Sequence, residues 1–500
     1  MTIDLLALLA ATAGVRTVVV GDAIVDGYIT GDPAGLGREA PAPVIAVDRT
    51  ADQCGGAANV AANLSSLGGE TRLLAVVGAD PAGQRLRRAM ASAGVGTGHL
   101  LTDRTRSTVV KTRVLAPRQM LLRMDEGSRE PIGPGVSAAL AAALGEQLPW
   151  CDAVIACDYG YGTFTPEVRA VLAASPRRPL LVVDSRTPAA FRAIRPDVVT
   201  PNHAETLNLL GIPTAARGGG RVRQMMDHAR QVLDRSGAGL AVITLDRDGA
   251  VVVQAGRPSL RTYTDGEAGM TIGAGDTFTA ALTMALAAGA DPGTAAELAS
   301  SAANIAVRKQ GTANCTAEEL RRRLSGTGKV LADGELPRWL TDMPHRDRRV
   351  VFTNGCFDIL HGGHVSLLSR AKALGGLLVV GVNSDASVRR LKGPSRPVIP
   401  LPERMRVLAA LGCVDLVVPF ETDSPTELIT RLRPDHYVKG SDYTRRTLPE
   451  APLVERLGGS VELLSTVDDL STSKIIRDIR ALPRPDQHRA GQGGLLGGFR

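Results

Sequence analysis

Aromatic residues are scarce: Phe, Trp and Tyr make up 3% of the 500 residues. The core must therefore be built from Ala, Val, Leu and Ile, which carry most of an ordinary hydrophobic share of 44%. No basic block is interleaved with aromatics, so the stacking-plus-charge surface that nucleic acid requires is missing. The formal charge of +7 is modest and scattered, which favours small anionic substrates over a polyanion. The six cysteines (Cys54, Cys151, Cys157, Cys315, Cys356, Cys413) include no CxxC pair. That argues against a disulfide framework or a cysteine zinc site and suits a reducing cytoplasm. No apolar run reaches membrane-spanning length. The opening MTIDLLALLAATAG has Asp4 where a secretory signal needs Lys or Arg and runs straight into RTVVVGD, so it reads as a short docking helix.

What the sequence does contain is a rhythm. TVVVGD (17–22), TRLLAVVG (71–78), AVIACD (153–158), LLVVDS (180–185), VVTPN (198–202) and LAVITLD (240–246) are short aliphatic runs, most of them ending in Gly, Asp or Asn. Helical stretches lie between them, for example 57–67, 82–93 and 223–235. This alternation predicts an α/β fold, a parallel sheet with helices on both faces, with ligands at the carboxyl ends of the strands beside Asp22, Asp158, Asp184 and Asn202. PVIAVDR (43–49) and 108–126 instead alternate with period two, the second turning near Pro117; they predict a small β lid. The chain exceeds one compact core. The expected division is a first domain over 1–324, a linker over 325–347, a second βα series over 348–482, and a disordered tail over 483–500.

Two places look built for phosphate. In GMTIGAGDTFTAALTMALAAG (269–289), two glycines and Asp276 precede an Ala- and Leu-rich helix. Free N–H groups at a helix start favour an anion, and glycines let it approach. A Gly-rich turn with Asp as an N-terminal cap gives the same pattern. The context adds GDAIVDGY (21–28), with Asp22 and Asp26 at the end of the first strand, QCGGAANVAANLSSLG (53–68) and TPNHAE (200–205). In this order the set resembles the ribokinase-like sugar kinases over roughly residues 15–315. The resemblance implies that Asp22, Asp26, Gly55, Gly56 and Asn59 hold sugar hydroxyls. It makes Gly273, Ala274 and Gly275 the anion hole, and Asp276 the catalytic base. Asn202 and Glu205 would organise Mg²⁺ and phosphate through water, and TLDRDG (244–249) would approach the nucleotide.

The second place is NGCFDILHGGH (354–364), where His361 and His364 stand three apart. Two such histidines on a helix also suit a metal, but no nearby His or Cys completes a set. A strand, a polar turn and then His-Gly-Gly-His opening a helix fit a nucleotide lying close to the backbone. The stretch resembles the HxGH nucleotidyltransferases, a second Rossmann-like domain. On that resemblance Thr353, Asn354 and Phe357, together with Ser471, Thr472 and Ser473 of STSKII, contact the nucleotide. His361, His364 and Lys392, the last on the loop RLKGPSRP (390–397), offset charge on the triphosphate.

The whole order, through VNSDAS and VKGSDY, resembles the bifunctional enzymes of ADP-heptose synthesis over about residues 15–482. That resemblance implies ATP-dependent phosphorylation of D-glycero-D-manno-heptose 7-phosphate at its anomeric hydroxyl, then adenylyl transfer from ATP to heptose 1-phosphate. It further implies ATP as substrate, Mg²⁺ in both steps and a monovalent cation in the kinase domain. The rival readings are another sugar phosphate, CTP in place of ATP, or an inactive sugar- or nucleotide-binding regulator. Arg38 and Arg123 are the candidates for the distal phosphate. Lid strand edges leave room for a second copy, so a homodimer is expected, with neither nucleic acid nor membrane as partner.

Overall fold

The structure is a computed structural model that describes residues 5–37, 39, 42–116, 119–174, 179–212, 220–262, 272–309, 311–325, 329–331, 336, 349–440, 444 and 447–464. The chain divides into two compact units, Met1–Ser325 and Gly326–Arg500.

The first unit's strands are β1 (Arg16–Gly21), β2 (Ala23–Leu36), β3 (Pro43–Gly56), β4 (Glu70–Gly78), β5 (Leu100–Asp103), β6 (Val110–Ala116), β7 (Gln119–Glu126), β8 (Ala153–Asp158), β9 (Leu180–Ser185), β10 (Val198–Val199), β11 (Leu240–Thr244), β12 (Ala250–Gln254) and β13 (Leu260–Thr262). Among the described residues the main sheet runs β13-β12-β11-β10-β9-β8-β1-β4-β5, and it is parallel except at β12 and β13. Side chains alternate across a strand, and here both faces are covered. Val19 of β1 joins the core under helices Ala57–Ser66, Ala274–Ala287 and Pro292–Ala306, while Val18 and Val20 join the core on the opposite face. Leu8 and Leu9 of helix Leu5–Ala11 lie in the first of these cores, as a docking helix should.

A four-stranded sheet, ordered β3-β2-β6-β7, forms the lid. The sequence reading found β3, β6 and β7, whose turn at 117–118 lies outside the described residues. It missed β2. Asp26 therefore stands in the lid, not at the end of β1. It also missed the antiparallel pair β12 and β13, and it expected one helix over 223–235. The structure has two, Gly220–Asp227 and Ala229–Ser236, divided at His228, whose Nδ1 lies 2.9 Å from the Gln224 carbonyl.

The second unit holds β14 (Val350–Gly355), β15 (Leu377–Asn383), β16 (Leu416–Phe420), β17 (His436–Gly440) and β18 (Ser460–Leu464), all parallel, in the order β16-β15-β14-β17-β18. Both faces are again apolar: Val351 and Val380 enter one core, Phe352 and Val379 the other. Phe352 and Tyr437 stack at 5.7 Å, placing two of the few aromatics where a small core gains most area. The stretch read as a linker is not wholly one. Val330 bridges Val417, the Leu331 N–H donates to the Val417 carbonyl at 3.0 Å, and Leu331 and Leu336 are buried in this unit's core. The tail over 483–500 lies outside the described residues.

Candidate active sites

In the first unit, the carboxyl ends of β1, β8, β9 and β10 gather Asp22, Asp158, Asp184 and Asn202, as the topology requires. Helix Ala274–Ala287 points its start at the same place. Its N-cap, Gly273, has φ 77° and no side chain to cap the first turn, so among the described residues its N–H groups are open to an anion. A Cβ on Gly273 would stand 2.9 Å from Asn59 Nδ2, so glycine is needed both for the backbone turn and for the close approach. Asp276, in that first turn, accepts from Asn59 Nδ2 at 2.6 Å and from the Tyr159 hydroxyl at 2.8 Å. Burial pushes its carboxyl up to about 6, against the pull of those two hydrogen bonds. A base with that value ionises near neutral pH and still holds a proton well.

The other expected sugar ligands divide. Asp26 is paired: its Oδ1 accepts from Arg113 Nη1 at 2.7 Å and its Oδ2 from the Thr312 hydroxyl at 2.7 Å. Asp22 Oδ1 is buried with no hydrogen-bond partner among the described residues. Its Oδ2 accepts the Tyr159 and Tyr161 N–H groups at 2.8 and 3.0 Å, and it is 3% exposed. It therefore holds the 159–161 loop, a role the sequence reading did not give it. Gly55 and Gly56 close β3 against helix Ala57–Ser66, where a Cβ on Gly55 would meet Asp26 Oδ2 at 2.7 Å.

Asn202 and Glu205 form a capping box at the start of helix His203–Leu210, each backbone N–H donating to the other's side chain at 2.9 Å. Burial raises the Glu205 carboxyl, and Arg186 pulls it back down. Asp184 is raised well above its ordinary value by burial and by its neighbours Asp276 and Glu205. In TLDRDG, Asp246 and Asp248 pair with Arg221 at 3.3 and 2.6 Å. The sequence reading missed Tyr159, Lys111, Arg113, Arg186 and Thr312. Tyr159 and Arg186 lie one or two residues past acidic strand ends and were findable on that signal. Lys111, Arg113 and Thr312 depend on how the lid and the 311–315 loop return to the cleft.

In the second unit, β14 ends in Gly355 and the chain turns at Phe357, with φ 45°. His361 is the N-cap of helix Gly362–Ala373, without a side-chain cap bond, and the His364 N–H returns to its carbonyl at 2.9 Å. The two imidazole centroids are 3.9 Å apart, and Phe357 lies 5.2 Å from His364. Burial lowers both histidines, His364 to about 4 with help from the charge of His361. Each is therefore a neutral ring near pH 7, and each has a buried Nδ1 without a partner among the described residues. Such rings can donate to an anion without first losing a carboxylate partner.

Thr353 is buried in β14. Asn354 is fixed by the Tyr437 hydroxyl on its Oδ1 at 2.8 Å and by Lys439 Nζ on its carbonyl at 3.0 Å. A fully buried Arg404, unmarked in the sequence reading, donates to the carbonyls of Cys356, Asn383 and Ile399 and to Asp385, tying β14 and β15 to the segment after them. Asp358 takes Arg396 and the N–H groups of Val398 and Ile399. Lys392 is not on a loop: it is the last residue of helix Asp385–Lys392, exposed, with its charge felt at Cys356. Ser471, Thr472, Ser473 and Arg38 lie outside the described residues.

The family described as pfkB family carbohydrate kinase matches residues 16–159 and 161–319, and the family described as cytidylyltransferase-like matches 352–478. Phosphofructokinase-2 from Escherichia coli in complex with potassium shares the first unit's fold, with TM-score 0.51 and 19% identity over 63% of this chain and 99% of that one. Its tetrameric inhibited form gives TM-score 0.52 and 18% identity over 62% and 99%. Fold, sites and matches together define an enzyme in which a carbohydrate kinase is joined to a nucleotidyltransferase. Bifunctional protein HldE of Azotobacter vinelandii is 40% identical over 471 residues, 93% of this chain and 97% of that protein; the one from Desulfatibacillum aliphaticivorans is 35% identical over 473 residues, 93% and 96%. The chain belongs to the HldE family of bifunctional heptose 7-phosphate kinase/heptose 1-phosphate adenylyltransferases.

Proposed function

We propose that both sites are active and that the residues assembled above carry the two steps. In the first, the anomeric hydroxyl of D-glycero-D-manno-heptose 7-phosphate attacks the γ-phosphorus of ATP. Asp276 accepts its proton, and the open N–H groups at Gly273–Gly275 offset charge on the transferring phosphoryl. Phosphoryl transfer needs positioning and charge neutralisation more than covalent help. The placement of a raised carboxyl, Asp276, beside an uncapped helix start is the observation that carries this reading. Half-buried Asp184 and Glu205 are a hard-oxygen pair that fits Mg²⁺. Glu205 would hold the ion through water, and the ion would neutralise the ATP phosphates.

In the second step an oxygen of heptose 1-phosphate attacks the α-phosphorus of ATP, and pyrophosphate leaves. His361 and His364, as neutral donors, and Lys392, as a cation, offset the charge that builds on the triphosphate. The direct test is mass spectrometry of the products. Heptose 7-phosphate with ATP and Mg²⁺ should give the 1,7-bisphosphate, and heptose 1-phosphate should give ADP-heptose with ATP and little product with CTP. Failure of either would remove that half of the reading.

Because the Asp276 carboxyl stands at about 6, kinase kcat/KM should be half-maximal near that pH and fall about tenfold per unit below it as the base is protonated. A profile that stays flat down to about pH 4, the ordinary carboxylate value, would contradict the assignment.

The lid supports a homodimer. Its face opposite Lys111 exposes Val47, Leu122 and Met124, apolar side chains that a second copy could cover. Light scattering should give a dimer mass for the native chain and a monomer for L122E/M124E; a monomeric native chain would refute the dimer. A cytoplasmic location fits six unpaired cysteines and the lack, among the described residues, of a helix long and apolar enough to cross a membrane.

A further inference from the structure

The inner face of the lid carries more positive charge than its own carboxylates neutralise. Residues paired across strands share a face. Asp26 of β2 is opposite Lys111 of β6, and Lys111 is opposite Asp125 of β7; one pair further along, Tyr28 is opposite Arg113, which is opposite Arg123. Both carboxylates beside Lys111 are taken by arginines. Arg113 Nη1 donates to Asp26 at 2.7 Å. Arg123 donates twice to Asp125, at 2.9 and 3.0 Å.

Lys111 is left half-buried, with no hydrogen bond or ion pair among the described residues. Its ammonium lies 5.8 Å from the Tyr159 ring centroid and 5.5 Å from that of Tyr161. Tyr159 is the residue that donates to Asp276, so Lys111 stands near the base. Burial lowers its pKa, and so does the nearby charge of Arg186, while Asp26 and Asp125 pull it back up. Arg186 likewise makes no side-chain ion pair among the described residues. Arg129 lies 5.9 Å over the Tyr161 ring. A partly desolvated ammonium beside an unpaired guanidinium is costly unless an anion completes the site.

We propose that Lys111, backed by Arg186, receives the phosphate that the sugar substrate already carries, and so makes the kinase selective for a phosphorylated acceptor. This rests on the reading of the first unit as a sugar-phosphate kinase. It adds the residue that distinguishes the phosphorylated sugar from the free one.

The test uses the full chain with saturating ATP and compares heptose 7-phosphate with unphosphorylated heptose. Lys111→Met should raise KM for the phosphorylated acceptor about 10–100-fold, the size of one charged hydrogen bond. It should raise KM for ATP and for free heptose far less, and Lys111→Arg should recover most of the loss. Equal losses on both acceptors, or no loss on either, would overturn the inference. The mass of the native product reports separately on the heptose assignment. If no bisphosphate forms, that assignment falls, and the same comparison is made with ribose 5-phosphate and ribose. A loss specific to the phosphorylated sugar would then still support Lys111, and its absence would overturn it.

Discussion

Asp276→Asn is expected to fold, to keep adenylyl transfer, and to lose kinase kcat by about 10²–10⁴-fold, the contribution of a positioned general base. The amide is nearly isosteric, so the Asn59 and Tyr159 neighbours at 2.6 and 2.8 Å can stay in place. With the amide oxygen toward Asn59 Nδ2, the amide nitrogen donates to the Tyr159 hydroxyl, which can still donate to Asp184 at 3.1 Å. The variant removes a buried carboxyl whose pKa is raised by desolvation, so stability should hold or rise slightly above pH 6, where the native group must ionise without full solvation. That separates a catalytic loss from unfolding. Native kinase rates in this variant, measured by ADP release with heptose 7-phosphate, would remove Asp276 as base.

His364→Asn is the complementary case. The ring is mostly buried against His361 and Phe357, at 3.9 and 5.2 Å, and its low pKa keeps it neutral. Losing this donor to the triphosphate should cost adenylyl transfer about 10²–10³-fold, as for other preorganised donors, and leave kinase activity intact. The same burial gives a second signature. Both histidines are held below their ordinary value, so kcat/KM for adenylyl transfer should show no break near pH 6.5. A break there, abolished in the variant, would mean that the working form is the imidazolium. Pyrophosphate release followed across pH decides between these.

The sequence carried the layered fold well because aliphatic runs ending in Asp, Gly or Asn have few other readings. β14, β15, β16 and both glycine-rich helix starts were legible for that reason. β2 was not: AIVDGYITGDPAGL mixes Gly, Pro and Asp into a strand, and it holds together because Arg113 and Thr312 satisfy Asp26 from elsewhere in the chain. Lys392 was misplaced because Gly393 and Pro394 read as a loop, whereas Ser384 caps a helix that reaches Lys392 before Gly393 ends it. The resemblance to the sugar kinases gives Asp22 to the sugar hydroxyls. Only the fold shows that the Tyr159 and Tyr161 amides take one oxygen, Oδ2, and leave Oδ1 without a partner among the described residues. Lys111 could not have been singled out, because its meaning lies in which neighbours are already neutralised.

The central claim is that one chain performs two chemistries at two independent sites. The most direct measurement follows products by mass spectrometry for the native chain, Asp276→Asn and His364→Asn, each given ATP and Mg²⁺ with heptose 7-phosphate and, separately, with heptose 1-phosphate. The account predicts that Asp276→Asn makes ADP-heptose at the native rate but almost no bisphosphate, and that His364→Asn does the reverse. Loss of both products in either variant, with the fold intact by circular dichroism, would contradict it.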